Sequence, residues 1–225
     1  MNNSHFCLYS NNLFDFSHTI SAPLLRSTAY PWEVLPRLSD FIREFGALLD
    51  PARYTDFGHG IYIAKDAAVA PTAHIAGPCI IGSGTEIRHC AFVRGSVIVG
   101  DGAVVGNSTE LKNCILFDEV QVPHYNYVGD SILGYRAHLG AGALTSNVKS
   151  DKSHVHVKGA DFDIDTGRKK VGAMVGDGVE VGCGAVLCPG TVIGRSSTVY
   201  PLVRVRGMIP KEHIVKSEDV MIPKN

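Results

Sequence analysis

Several features are missing from this sequence. Acidic and basic side chains nearly cancel over 225 residues, leaving a net charge of -1, so no broad cationic field exists to grip nucleic acid. No apolar run is long enough to cross a bilayer. The first eight residues, MNNSHFCL, have neither the basic nor the apolar region of a secretory leader. The expectation is a cytoplasmic protein with no nucleic-acid and no membrane partner. Cys7, Cys79, Cys90, Cys114, Cys183 and Cys188 form no CxxC pair and no zinc-ligand spacing, so they are expected to be reduced core or surface thiols. Residues 1–62 contain no glycine-rich phosphate loop, which argues against nucleotidyl transfer by this stretch.

What the sequence does contain is a rhythm. An apolar side chain returns every six residues at Ile63, Val69, Ile75, Ile81, Ile87, Val93, Val99, Val105, Leu111 and Phe117, and again at Val175, Val181, Leu187, Ile193, Val199 and Val205. Small or slender residues such as Ala67, Ala73, Cys79, Thr85 and Ala91 stand four positions later, and glycine often follows the apolar residue, as at Gly82, Gly100 and Gly106. A period of six marks a parallel β-helix, in which each hexad supplies one short strand and successive coils stack through backbone hydrogen bonds. It fits poorly with the 3.6-residue helical period. The chain is therefore expected to be all-β: a solenoid over 63–207 with a loop at about 148–174, an extension over 1–62 and a tail over 208–225. Apolar residues at three- and four-residue intervals from Val34 to Leu49 predict an amphipathic helix over about 33–49, expected to cover the open first coil. The polar loop is expected to protrude.

The rhythm breaks in VPHYNYVGDSILG (122–134), where the inward candidates after Pro123, namely Val128, Leu133 and Leu139, follow steps of five, five and six. Local rule-breaking is expected where function outranks regularity. Arg94 and Lys112, eighteen residues apart, would stack at one outer corner of a triangular coil and repel unless an anion such as phosphate lies between them. His124 would stand at a neighbouring corner.

Arg94, Lys112, His124 with Tyr127 in HYNYVGDS, and Asn147 at the end of LGAGALTSN closely resemble the acetyltransferase domain of the bifunctional glucosamine-1-phosphate N-acetyltransferase and N-acetylglucosamine-1-phosphate uridylyltransferase family, over roughly residues 63 to 207. The resemblance implies a left-handed parallel β-helix, a homotrimer, and acetyl transfer from acetyl-CoA to an amino-sugar 1-phosphate without a metal. It implies that Arg94 and Lys112 hold the phosphate, Tyr127 contacts the sugar, His124 is the general base and Asn147 positions the amine or the thioester. A histidine near neutrality suits removal of a proton from an attacking amine. His138 stands where the family usually has asparagine, and Lys152 falls near a family lysine that touches the sugar; both are candidates for substrate binding. For the donor, the candidates are the backbone around Gly140, Ala141 and Gly142 as oxyanion donors, Cys183 on the pantetheine path, and Arg168, Lys169 and Lys170 in the loop for the phosphates. Val148, Cys183 and Pro201 depart from the family pattern. A separate nucleotidyltransferase could be a partner.

Two rival readings remain: a non-catalytic scaffold of the same shape, and a hexapeptide zinc hydratase similar to the γ-type carbonic anhydrases. The second needs three imidazoles converging on one metal. Only the loop pair His154 and His156 is closely spaced.

Overall fold

The computed structural model describes residues 6–224 and is a parallel β-helix with three flat faces, as the hexad rhythm demands. Face A runs from Ile61–Ala64 through Cys79–Ile81, Val97–Val99, Cys114–Leu116, Ile132–Leu133, Ala173–Val175 and Thr191–Ile193 to Met208–Ile209. Face B climbs from Ala68–Val69 to His213–Ser217, and face C from His74–Ile75 to Arg204–Val205. An antiparallel strand closes each end of the stack. Tyr54–Asp56 pairs with the first strand of face A, and Val220–Pro223 folds back on the last strand of face B. Pairing of this kind covers edges that would otherwise recruit another chain.

Register is set by the inward column Ile63, Ile81, Val99, Leu116, Leu133, Val175, Ile193 and Ile209, in which each residue is paired with the next. The column corrects the sequence reading at one point. Leu116, not Phe117, is the partner of Val99, so the first short step falls between Leu111 and Leu116, ahead of His124 rather than behind it. The second falls between Val128 and Leu133. Both sit at the corner between faces C and A, which loses one residue. In the longer corner below, Gly95 and Ser96 both take positive φ (96° and 53°); in the shortened corners a single residue does so, Asn113 at 48° and Asp130 at 49°. Phe117 lies outside the prism, its ring 5.1 Å from Phe14.

Phe14 belongs to the extension, whose position is a second correction. Strands alternate sides, so the middle residues of the three-residue strands on face A should meet water. Instead Ile80, Ile98, Ile115, Ile132 and Val192 are 0% exposed and Met174 1%, because the extension runs along the face and a hairpin from the loop after Asn147 packs on its upper strand Thr191–Ile193. It is pinned near the upper coils by the Asp177 N–H donating to Leu13 O (3.1 Å), by the Asp15 N–H donating to Asp177 Oδ2 (2.7 Å), and by His18 stacked at 3.6 Å on Tyr135. It reaches the lower coils with the helix Leu38–Gly46, which packs on Cys79–Ile81 and Val97–Val99. The predicted helix thus lies on a flat face, not on the open end. It is also shorter. Pro31–Arg37 is 3-10 in form, with Pro36 inside it and unable to donate, and Leu48 beyond the helix is 82% exposed. Burying the six outward residues of face A is worth on the order of 10 kcal/mol before the ordering of the extension is subtracted.

The loop after Asn147 does not simply protrude. It forms an antiparallel hairpin, His156–Lys158 with Asp163–Asp165, that folds back against Thr191–Ile193 with Val155 and Val157 fully buried. Gly190 permits this contact: its φ is 79°, and a Cβ there would lie 2.4 Å from His156 O. Among the described residues no helix is long and apolar enough to cross a membrane.

If face A depends on the extension, Phe14→Ala will lower stability by about 3–5 kcal/mol in urea unfolding, while Phe57→Ala, at a side chain 62% exposed, will stay within about 0.5 kcal/mol of the parent. Equal effects would contradict the arrangement.

Candidate active site

Face C is bounded by two corners, and the candidate residues divide between them. At the corner with face A, the Asp130 carboxylate is the centre of a polar node. Its side chain is only 2% exposed, yet it is well satisfied: Lys112 Nζ donates to both oxygens at 3.0 Å, Asn113 Nδ2 donates at 2.7 Å and Asn147 Nδ2 at 2.5 Å. Asn147 Nδ2 also lies 3.3 Å from the Tyr127 hydroxyl. Burial, and then the Asp130 charge, push the Tyr127 phenol up, so it stays a neutral hydroxyl. One coil below Lys112, Arg94 Nη1 is 2.6 Å from Glu110 Oε1, and its guanidinium lies 5.9 Å from the Phe92 ring centre. The stacked cations therefore do not face each other unpaired, as the sequence suggested. Each holds a carboxylate, Glu110 for Arg94 and Asp130 for Lys112.

At the corner with face B stands His124, exposed, with no polar partner for its ring among the described residues. Its backbone is tightly held. Asn126, 2% exposed, accepts from the His124 N–H (3.1 Å) and donates to Gly140 O and Ala143 O (2.9 Å each). Beneath it, Gly106 leaves room for Pro123, whose carbonyl oxygen would lie 1.5 Å from a Cβ at that position. The coil above carries Gly140, Ala141 and Gly142, and the next carries Cys183; the Gly142 N–H donates to His124 O at 3.0 Å and the Gly184 N–H to Ala141 O at 2.9 Å. Two of the three expected oxyanion donors are therefore already used, since the Gly140 N–H donates to Val181 O at 2.7 Å. The Ala141 N–H has no backbone acceptor among the described residues.

Between the corners lies the strand Tyr127–Gly129. From His124 to Tyr127 is three residues, about 10 Å at full extension. Arg94, Lys112, Tyr127 and Asn147 thus gather at one end of face C, and His124 with Gly140–Gly142 and Cys183 at the other. The remaining candidates lie elsewhere. His138 sits on face B with Nδ1 2.8 Å from Glu180 Oε2. Lys152 occupies the exposed turn after the solenoid is left, at a φ of 59°. Arg168 is half-buried in the hairpin, its Nε meeting no acceptor, and Lys169 is exposed beside it.

A cleft of about 790 Å³ opens beside Asn147, between the hairpin and the upper coils, with Lys149, His156, Lys158, Cys188 and Arg206 on its walls. Neither Arg168, Lys169 nor Cys183 lines it. Sequence reasoning missed these walls, and it missed Glu110, Asn126 and Asp130 as partners. The available signal was spacing: Asn113 and Asp130 are seventeen residues apart, which stacks them once the shortened corner is recognised. Among the described residues no group of three His, Cys, Asp or Glu side chains is arranged to hold a metal ion.

Comparison with known proteins bears on the family of this chain. A family model described as the GMPPB C-terminal domain matches residues 75–167. The putative uncharacterized acetyltransferase YaiX of Escherichia coli K12 is 30% identical over 168 residues, covering 67% of this chain and 72% of that protein. The chain belongs to the hexapeptide-repeat acyltransferase family. The bifunctional protein GlmU of Methanococcus maripaludis S2 is 30% identical over 198 residues, covering 86% of this chain and 47% of the relative; this chain spans less than half the length of the bifunctional relatives it matches. Among solved structures, the polySia-specific acetyltransferase NeuO aligns with a TM-score of 0.48 at 10% identity over 71% of this chain and 80% of that one.

Because Asn126 satisfies two buried carbonyls and fixes the His124 corner, Asn126→Ala is expected to cost about 2–3 kcal/mol in urea unfolding, against less than about 0.5 kcal/mol for alanine at the exposed Lys152.

Proposed function

We propose that this chain transfers an acetyl group from acetyl-CoA to the amine of a phosphorylated amino sugar such as glucosamine 1-phosphate, bound across face C. The observation that carries the reading is the division of that face: a polar node around Asp130 at one end and an unpartnered imidazole at the other, one short strand apart. The phosphate is held by Arg94 and Lys112, the ring lies over Tyr127, and the amine points to His124. The amine loses its proton to His124 as the carbon–nitrogen bond forms, and the coenzyme A thiolate leaves. Ala141 N–H, stacked directly above His124, is the donor available for the developing oxyanion. Asp130 keeps Lys112, Asn113 and Asn147 in fixed geometry. The relatives support the chemistry, because YaiX is named a putative acetyltransferase and the Sulfurisphaera tokodaii relative, matched over 40% of this chain, is named a bifunctional sugar-1-phosphate nucleotidylyltransferase/acetyltransferase.

The nucleotide end of the donor fits the cleft beside Asn147, where Lys149, Lys158 and Arg206 offer positive charge. His138, Lys152, Arg168 and Lys169 then have no direct contact with either substrate. The working unit is a homotrimer. Face A is occupied by the chain's own extension, so neighbouring copies must meet on faces B and C, where Phe92 is 39% exposed and Leu144 and Val186 stand in the same outward row. A neighbour on face C would cover the acceptor and exclude water.

A second reading is favoured by the pairing of both cations with carboxylates and by the match to a domain described by its attachment to GMPPB. This reading is a non-catalytic scaffold for a separate nucleotidyltransferase. One assay separates the two. With acetyl-CoA and glucosamine 1-phosphate, release of coenzyme A thiol should fall about 10²–10⁴-fold in His124→Ala at nearly unchanged acceptor KM, whereas Lys112→Ala should raise that KM. No release from the parent protein, or equal rates in parent and His124→Ala, would favour the scaffold. For the assembly, light scattering should give three chains per particle for the parent and one for Val186→Glu; a monomeric parent would contradict the trimer.

A further inference from the structure

Of the six cysteines, Cys79, Cys114 and Cys188 are buried, Cys7 is half-buried, and Cys90 and Cys183 are exposed. Burial pushes the Cys79 thiol up to about 12 and the Cys114 thiol up as well, which makes both inert. Cys90 is different because of what surrounds it. Its Sγ lies 3.2 Å from His89 Nε2, and His89 Nδ1 lies 2.7 Å from Thr72 Oγ1 in the coil below. The Cys90 N–H donates to the same Thr72 oxygen at 3.3 Å, and Cys90 takes a φ of 57° at this turn. A nucleophile, a base within hydrogen-bond reach and a third group orienting the base are the parts of an activated thiol. With the Nδ1 proton directed at Thr72, Nε2 presents its lone pair to the Cys90 S–H.

We propose that Cys90, His89 and Thr72 form a nucleophilic thiol site that captures an acyl group from a thioester. His89 Nε2 takes the proton from Cys90 Sγ, and the sulfur attacks the thioester carbonyl. The old carbon–sulfur bond breaks, and the proton passes from His89 to the departing thiolate. One thioester forms and one breaks, with no change of oxidation state. Cys90 lies at the same corner of the prism as His124, two coils lower, about 10 Å away by the strand spacing. The site uses none of the residues assigned to amino-sugar acetylation.

Cys183 provides an internal reference, since it is exposed at the same corner but carries no imidazole contact among the described residues. The experiment has two arms. With iodoacetamide at neutral pH, peptide mass spectrometry should show Cys90 alkylated at least about tenfold faster than Cys183, with the difference lost in His89→Gln and reduced in Thr72→Val. With acetyl-CoA alone, the intact chain should gain one hydroxylamine-sensitive acetyl group on Cys90. That group should be absent from Cys90→Ser, much reduced in His89→Gln and retained in His124→Ala. Equal alkylation of the two cysteines would overturn the activated thiol, and fast alkylation without acetylation would overturn acyl capture. Loss of the acetyl group in His124→Ala would assign it to the other site.

Discussion

The coil-to-coil stack fixes the rest. Strands about 4.8 Å apart in parallel register leave the chain little freedom in where a corner side chain can point, so the length of a corner becomes the means of aiming it. Dropping one residue after Lys112 and another after Gly129 turns a pair of positive-φ residues into one. It also sets Asn113, Asp130 and Asn147 in contact on successive coils. The carboxylate of Asp130 is buried by this geometry and satisfied by it. A regular eighteen-residue coil would carry this carboxylate out of line with its neighbours.

A second consequence follows from the prism shape. Three faces need three fates, and the extension takes one of them, sealing the outward aliphatic row of face A together with the hairpin that packs on Thr191–Ile193. What remains open is face C, with the polar node at one edge and His124 at the other, and face B, where His138 pairs with Glu180. Placement of chemistry and placement of the extension are therefore linked: the extension leaves the candidate site free and limits where another copy can dock.

Much of this was legible in the sequence. The hexad rhythm from Ile63 to Leu111 required a β-helix, and the stacking of Arg94 and Lys112 at one corner followed from their spacing; Tyr127 and Asn147 were singled out by the family resemblance. Other parts were hidden for physical reasons. Leu116 and Phe117 are both large and apolar, so periodicity alone could not say which one turns inward. The apolar helix over 38–46 advertised a buried face without saying what buries it, because an outward aliphatic row on face A looks like ordinary strand sequence. The loop 148–174 is polar in composition, yet Val155 and Val157, with Phe162 and Ile164, pack its hairpin back against the core. The carboxylates of Glu110 and Asp130 could not be matched to their cations until the shortened corners were known.

The central claim is that an acceptor lies across face C, phosphate at the Lys112 corner and amine at the His124 corner. A crystal structure with glucosamine 1-phosphate tests it most directly. The account predicts phosphate oxygens at hydrogen-bonding distance, about 3 Å, from Lys112 Nζ and the Arg94 guanidinium, with the sugar nitrogen facing the His124 imidazole. A ligand seated instead in the cleft beside the hairpin, or bound with its nitrogen turned away from His124, would contradict it.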